Sequence, residues 1–186
     1  KIQIKSEFKK IPNRIKLINC VGGGSSAYGF WSEFIDFDKN KIELVGVEAG
    51  GPKGSKLHAA PLSRGAKLGI LHGAAAYVCQ NVEGQINETE SISAGLDYPG
   101  VSPIHCFLKD AKRARYTSAT DEDALKAYQL VTKLEKIKPS LEPSHAFAEA
   151  IKIAPKLKKD TIVIVNSCGD AKKDRDILKA RLGKII

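Results

Sequence analysis

An apolar run, Ile15 to Cys20, meets three consecutive glycines, Gly22-Gly23-Gly24, and then two serines and the stretch AYGFWSEF at 27–34. Few folds accommodate that order. The short apolar run reads as a strand, and Phe30, Trp31 and Phe34 fall on one face of a helix that follows it. Glycines between the two let the chain turn sharply and present N–H groups unscreened by a Cβ. Those donors, the hydroxyls of Ser25 and Ser26 and the amino end of the helix make a cradle for an anion, with a phosphate the obvious candidate. The run matches neither G-x-G-x-x-G nor G-x-x-x-x-G-K-[ST], so no dinucleotide or triphosphate fingerprint is met. A ligand-free tight turn stays open as the simpler reading.

The same grammar recurs along the chain. KIELVGVEA (41–49) reads as a strand ended by Gly50-Gly51-Pro52, and residues 53–67 as a Gly- and Lys-rich stretch closing in a short helix. Residues 68–81 fit either a strand or a buried helix, and 82–102 form a long polar loop of the kind that is often functional. Ser102 caps and Pro103 opens a helix over 102–111, and RYTSA (115–119) is a short strand. Thr120 with Asp123 resembles a capping box ahead of an apolar stripe, Ala124, Leu125, Tyr128, Val131 and Leu134. A further helix begins near Pro143, TIVIV (161–165) is a uniformly β-branched buried strand, and a helix over 173–183 stops at a glycine. Strand–helix alternation of this kind predicts an α/β fold in three layers, a mainly parallel sheet with helices on both faces. Ligands bind at the carboxyl ends of such strands. The small-residue turns at 21–26 and 167–171 both lie there and can line one site.

At 186 residues the chain is one domain with a sizeable core. No apolar run approaches the roughly 18 residues of a membrane span, and no signal-peptide pattern opens the chain. Cys20, Cys79, Cys106 and Cys168 include no C-x-x-C pair, which fits reduced thiols in a cytoplasmic protein. The four histidines lack zinc spacing. The net charge of +9 is spread over 1–16, 109–115, 152–159 and 172–184 without interleaved aromatics, which argues against nucleic acid as partner. The chain begins at Lys1 and contains no Met, so the expectation is a processed chain or a piece of a longer one.

CVGGGSSAYG, LVGVEAGG, HAAPLSRG, ILHGA, GQINETESISAGLDYPGVSPIHCFL, YTSATDEDALKAYQL, PSLEPSHAFAEAIKIAP and TIVIVNSCG occur in that order. Together they resemble the carboxyl-terminal half of the tryptophan synthase β subunit, from about residue 11 to residue 176, with SISAGLDYPGV the most specific piece. That family consists of fold-type II pyridoxal phosphate enzymes that condense indole with L-serine to L-tryptophan. The resemblance implies that Gly22, Gly23, Gly24, Ser25 and Ser26 hold the cofactor phosphate. The family usually has Asn where Ser26 stands. It implies Glu142 beside the cofactor ring and Cys168 at the position of a serine that bonds the ring nitrogen, a neutral partner that leaves that nitrogen unprotonated. It further implies a closing role for Asp97, substrate positions at Gly95 and His72, and a monovalent cation (sodium or potassium) on the carbonyls of Gly22, Tyr98 and Gly100. Here CGDAK replaces the family's SGRGD.

The family's Schiff-base lysine, its indole-handling glutamate and its mobile subdomain lie in the amino-terminal half, and no lysine here has the matching setting. The resemblance thus implies that residues 1–186 are a carboxyl-terminal cofactor-binding domain, inactive alone, of an enzyme acting on L-serine and indole. An α subunit is a possible partner, and a β–β homodimer is expected at full length. Two alternatives stay open: a non-catalytic remnant or partner-binding domain, and another fold-type II lyase such as a serine or threonine dehydratase.

Overall fold

The computed structural model describes residues 14–183 together with residues 3, 6, 7 and 12. Most of the basic stretch at 1–16 lies outside the described residues. Four parallel strands form the central sheet: β1 (Arg14–Cys20), β2 (Ile42–Ala49), β5 (Ala114–Ala119) and β6 (Thr161–Val165), in the order β5-β2-β1-β6. Leu17 pairs with Leu44 on one side and with Ile164 on the other, which fixes the register through β1. Alternate residues of the inner strands face opposite layers. Ile15, Leu17, Ile42 and Leu44 meet Trp31 of helix α1 (Ser25–Trp31) and Leu108 of α2 (Pro103–Asp110). Ile18, Cys20, Val45 and Val47 meet Ala146 and Ala150 of α4 (Leu141–Ile153). The expected three layers are therefore present, with a core on each face of the sheet. Each fully buried Leu or Ile contributes roughly 1.5–3 kcal/mol of transfer free energy, so these two faces dominate stability.

Local chemistry sets the ends of the helices. Pro103 opens α2, although the Ser102 side chain makes no capping bond. Helix α3 (Asp121–Glu135) begins with a complete capping box between Thr120 and Asp123. Helix α5 (Arg175–Leu182) ends at Gly183. The predicted stripe on α3 is corrected at its end: Leu134 is exposed, whereas Ala127 and Thr132 are buried on the side of the helix that packs against its neighbours. Helix α4 starts two residues earlier than expected, at Leu141, whose N–H bonds the carboxylate of Asp174 at 2.7 Å.

Three further expectations change. Residues 53–66 form turns and no helix; Arg64 N–H to Ala60 O and Ala66 N–H to Pro61 O close a compact turn instead. Residues 68–81 resolve into an antiparallel hairpin, β3 (Lys67–Leu71) with β4 (Ala74–Val78). Its two-residue turn is His72-Gly73, both with positive φ (50° and 76°), as a type I′ connection demands. Finally, TIVIV is half-buried along its length rather than buried, because β6 is the edge strand of the sheet. Among the described residues no helix is long and apolar enough to cross a membrane.

Candidate functional site

The glycine turn leaves β1 at the carboxyl edge of the sheet and is held from three sides. Gly22 lies so close to the 93–97 loop that a Cβ there would stand 2.6 Å from the Gly95 carbonyl oxygen. Gly23 O accepts from Ser102 N–H at 3.0 Å, which ties the turn to the start of α2. Gly24 has φ 100°, and its O accepts from His105 Nε2–H at 2.7 Å. A carbonyl can only accept, so Nε2 carries the proton and Nδ1 accepts from the Tyr116 hydroxyl at 2.8 Å. Burial keeps His105 below the usual histidine range, which holds it neutral in that tautomer. His105 also meets Trp31 edge-on at 5.6 Å between ring centroids.

With the carbonyls engaged, the N–H groups of Gly23, Gly24, Ser25 and Ser26 donate to no acceptor among the described residues. They face a cleft of about 260 Å³ whose walls also include Gly95, Glu142, Cys168 and Lys173. Helix α1 is only seven residues long, so the free N–H groups, rather than a long helix dipole, make the cradle. Ser26 Oγ accepts from Asn19 Nδ2 at 3.2 Å and from Asn166 Nδ2 at 3.3 Å, leaving its own hydrogen to donate. Asn19 and Asn166 thereby join the ends of β1 and β6 beneath the turn.

Glu142 enters from the first turn of α4. Its Oε1 accepts from Gly95 N–H at 3.2 Å and pairs with the Lys173 ammonium. Its Oε2 is buried with no hydrogen-bond partner among the described residues. Burial alone would raise this carboxyl, but the hydrogen bond and charge of Lys173 reverse that and hold it below the usual carboxylate range. Cys168 sits in the turn after β6, its carbonyl held by the Ser140 hydroxyl at 3.0 Å. Its sulfur is 3.6 Å from that of Cys20. Free N–H groups at one end and an unpartnered carboxylate oxygen and a thiol at the other fit a phosphorylated ring with polar edge atoms.

A second cavity of about 320 Å³ shares Gly23 with the first. His72, Tyr98 and Gly100 line it. His72 Nδ1 is hydrogen-bonded to the Tyr98 hydroxyl at 2.9 Å, with the rings stacked. The carbonyls of Gly22, Tyr98 and Gly100 accept no backbone N–H among the described residues, as donors to a cation require. Asp97 is exposed beside this region, its N–H bonded to Ser93 O, and borders neither cavity. Sequence reasoning did not single out His105, Asn19, Lys173 or Ser140. A buried His among small residues carries no periodic signal, and a lysine in a charged helix start looks like solvated surface.

No protein-family model matches the chain. Tryptophan synthase beta chain of Chromobacterium violaceum is 48% identical over 175 residues, covering 94% of this chain and 43% of that protein. The Bordetella petrii protein of the same name is 48% identical over 168 residues, covering 90% and 41%. Over this length the chain is a relative of tryptophan synthase beta chains. The Rhodopseudomonas palustris beta chain, 44% identical, extends the match to 97% of the chain. The chain spans less than half the length of these tryptophan synthase beta chains. In three dimensions it is similar to a threonine deaminase from T.th., with a TM-score of 0.60 over 91% of this chain and 53% of that one. At 15% identity that similarity shows the shared fold alone.

Proposed function

We propose that this chain is the carboxyl-terminal, pyridoxal phosphate-binding domain of a tryptophan synthase β-type enzyme. The observation that carries the reading is convergence: one cleft gathers the four free N–H groups of the glycine turn, the buried carboxylate of Glu142 and the Cys168 thiol. When bound, the cofactor supplies an electron sink for β-replacement on an amino acid such as L-serine. Gly23, Gly24, Ser25 and Ser26 bind its phosphate through backbone N–H groups, with the Ser26 hydroxyl as a further donor. Glu142, oriented by Gly95 and Lys173, and Cys168 stand on the ring side. His72 and Tyr98 border the approach for indole, and the carbonyls of Gly22, Tyr98 and Gly100 hold a monovalent cation. Asp97 acts in closure with a partner segment. The 186 residues provide no lysine in the setting that bonds the cofactor, so they bind it without turning substrate over. The complete enzyme works in the cytoplasm on L-serine and indole, as a β–β homodimer able to meet an α subunit.

Gly23 offers a clean test. A Cβ added there meets nothing within 4 Å, so Gly23→Asp leaves the fold intact and places a carboxylate at the cradle. Titration with pyridoxal phosphate, followed by fluorescence of the single Trp31, is expected to saturate and to weaken at least about tenfold in Gly23→Asp through like-charge repulsion. Absent saturation, or equal affinity in the variant, would refute the cradle. Turnover of serine and indole by the isolated chain would refute the division of labour.

A further inference from the structure

Cys20 and Cys168 are far apart in sequence but neighbours in space. Cys20 ends β1, and Cys168 lies three residues past the end of β6, the strand that pairs with β1 through Ile18 and Val165. Their sulfurs are 3.6 Å apart, so a disulfide of about 2.05 Å needs an approach of only about 1.5 Å. Both line the cleft, Cys168 half-buried and Cys20 buried. The other two thiols have different surroundings: Cys79 points to His58 O and Cys106 to Ser102 O, each at 3.8 Å. Cys168 is also the one whose environment favours the thiolate. The hydrogen bond from Cys20 leads, burial opposes it, and with help from Ser26 the group is drawn down to about 6. Cys20 is raised by the same contact and by burial, so it stays protonated.

We propose that Cys20 and Cys168 are a peroxide-sensitive thiol pair that closes to a reversible disulfide across the carboxyl ends of β1 and β6. The Cys168 thiolate attacks one oxygen of a hydroperoxide; the sulfur is oxidised to a sulfenic acid as the O–O bond breaks and hydroxide (or alkoxide) leaves. The Cys20 thiol then attacks that sulfur. The S–S bond forms, the S–O bond breaks and water departs with the Cys20 proton. A dithiol reverses the bond by exchange. The product ties the entry of the glycine turn to the turn after β6 and removes the Cys168 thiol from the cleft. That last consequence rests on the cofactor reading above, whereas the disulfide itself does not.

The experiment treats the full chain with hydrogen peroxide, quenches in acid, alkylates and maps peptides without reduction. The expected product has lost two hydrogens, carries a Cys20–Cys168 linked peptide pair with Cys79 and Cys106 alkylated, and reverts with dithiothreitol. It should form at least about tenfold faster than oxidation of Cys79 or Cys106, as thiolate character and access dictate. In Cys20→Ser the reaction should stop at a dimedone-trapped sulfenic acid on Cys168, and in Cys168→Ser the Cys20 thiol should stay alkylated. Any other pairing, over-oxidised Cys168 beside free Cys20, or equal oxidation of Cys20 in Cys168→Ser would overturn the pair. A repeat with pyridoxal phosphate present separates the two readings. Slower linkage supports a disulfide that competes with the cofactor, whereas an unchanged rate leaves the pair standing and overturns its effect on the site.

Discussion

Two turns leave parallel strands and line the same cleft, yet they are held by different means. The glycine turn after β1 is fixed through its own backbone: Gly23 and Gly24 carbonyls are engaged by Ser102 and His105, and Gly22 abuts Gly95. The turn after β6 hangs from an edge strand and is held chiefly by the Ser140 hydroxyl on the Cys168 carbonyl and by the thiol contact with Cys20. The first turn keeps the pattern expected from tryptophan synthase beta chains through its three glycines; the second reads CGDAK where SGRGD is expected. Close approach bars a Cβ at Gly22 and Gly24 but leaves Gly23 open, whereas a turn held by side chains can exchange them at small cost.

Substitutions can break that comparison, and the largest effect belongs to Gly24. Gly24→Ala forces a Cβ to within 2.2 Å of the His105 ring at φ 100°, and is expected to cost at least about 3 kcal/mol in urea unfolding. A variant of wild-type stability would show the turn to be as adaptable as its counterpart. Next comes His105→Phe, which keeps a ring but leaves the Tyr116 hydroxyl without its partner and the Gly24 carbonyl with only the Tyr28 N–H. About 2–3 kcal/mol should be lost in the same measurement.

A smaller, pH-dependent effect sharpens the other side. Glu142 is held below the usual carboxylate range, so its contribution is present above the unfolded value near 4.3 and fades as pH falls through the folded value. Lys173→Ala removes the cation responsible. Because Lys173 is nearly half exposed, solvent screening limits the loss to about 1 kcal/mol or less at pH 7, shrinking as pH falls through the folded value of Glu142. Urea midpoints at several pH values should show the deficit of the variant narrowing as pH falls; a deficit that widens toward acid would contradict this role. The smallest effect is expected for Cys168→Ser, below about 1 kcal/mol, since the carbonyl bond from Ser140 survives. A loss matching that of Gly24→Ala would contradict the account of two differently held turns.

Much of the architecture was legible along the chain. Ile15–Cys20 and KIELVGVEA announced strands because burial on both faces selects short apolar runs, RYTSA announced one by its β-branched and aromatic residues, and Thr120 with Asp123 announced a helix because capping is local chemistry. The His72-Gly73 hairpin was ambiguous because His is a rare carrier of positive φ, and the half-exposure of TIVIV depends on strand order, which no local pattern encodes. The glycine run, SISAGLDYPGV and Glu142 were nameable as candidates by residue type and family likeness.

By itself, then, the sequence determined the alternation of strand and helix, the glycine turn and the kinship with tryptophan synthase beta chains, because periodicity, turn chemistry and residue order are properties of neighbours along the chain. Only the tertiary structure decided that His105, 81 positions from Gly24, locks that carbonyl, that Lys173 neutralises Glu142, and that Cys20 meets Cys168 across 148 positions. Those pairings follow from strand order and helix packing, which bring distant residues to hydrogen-bond range and set their charge by burial.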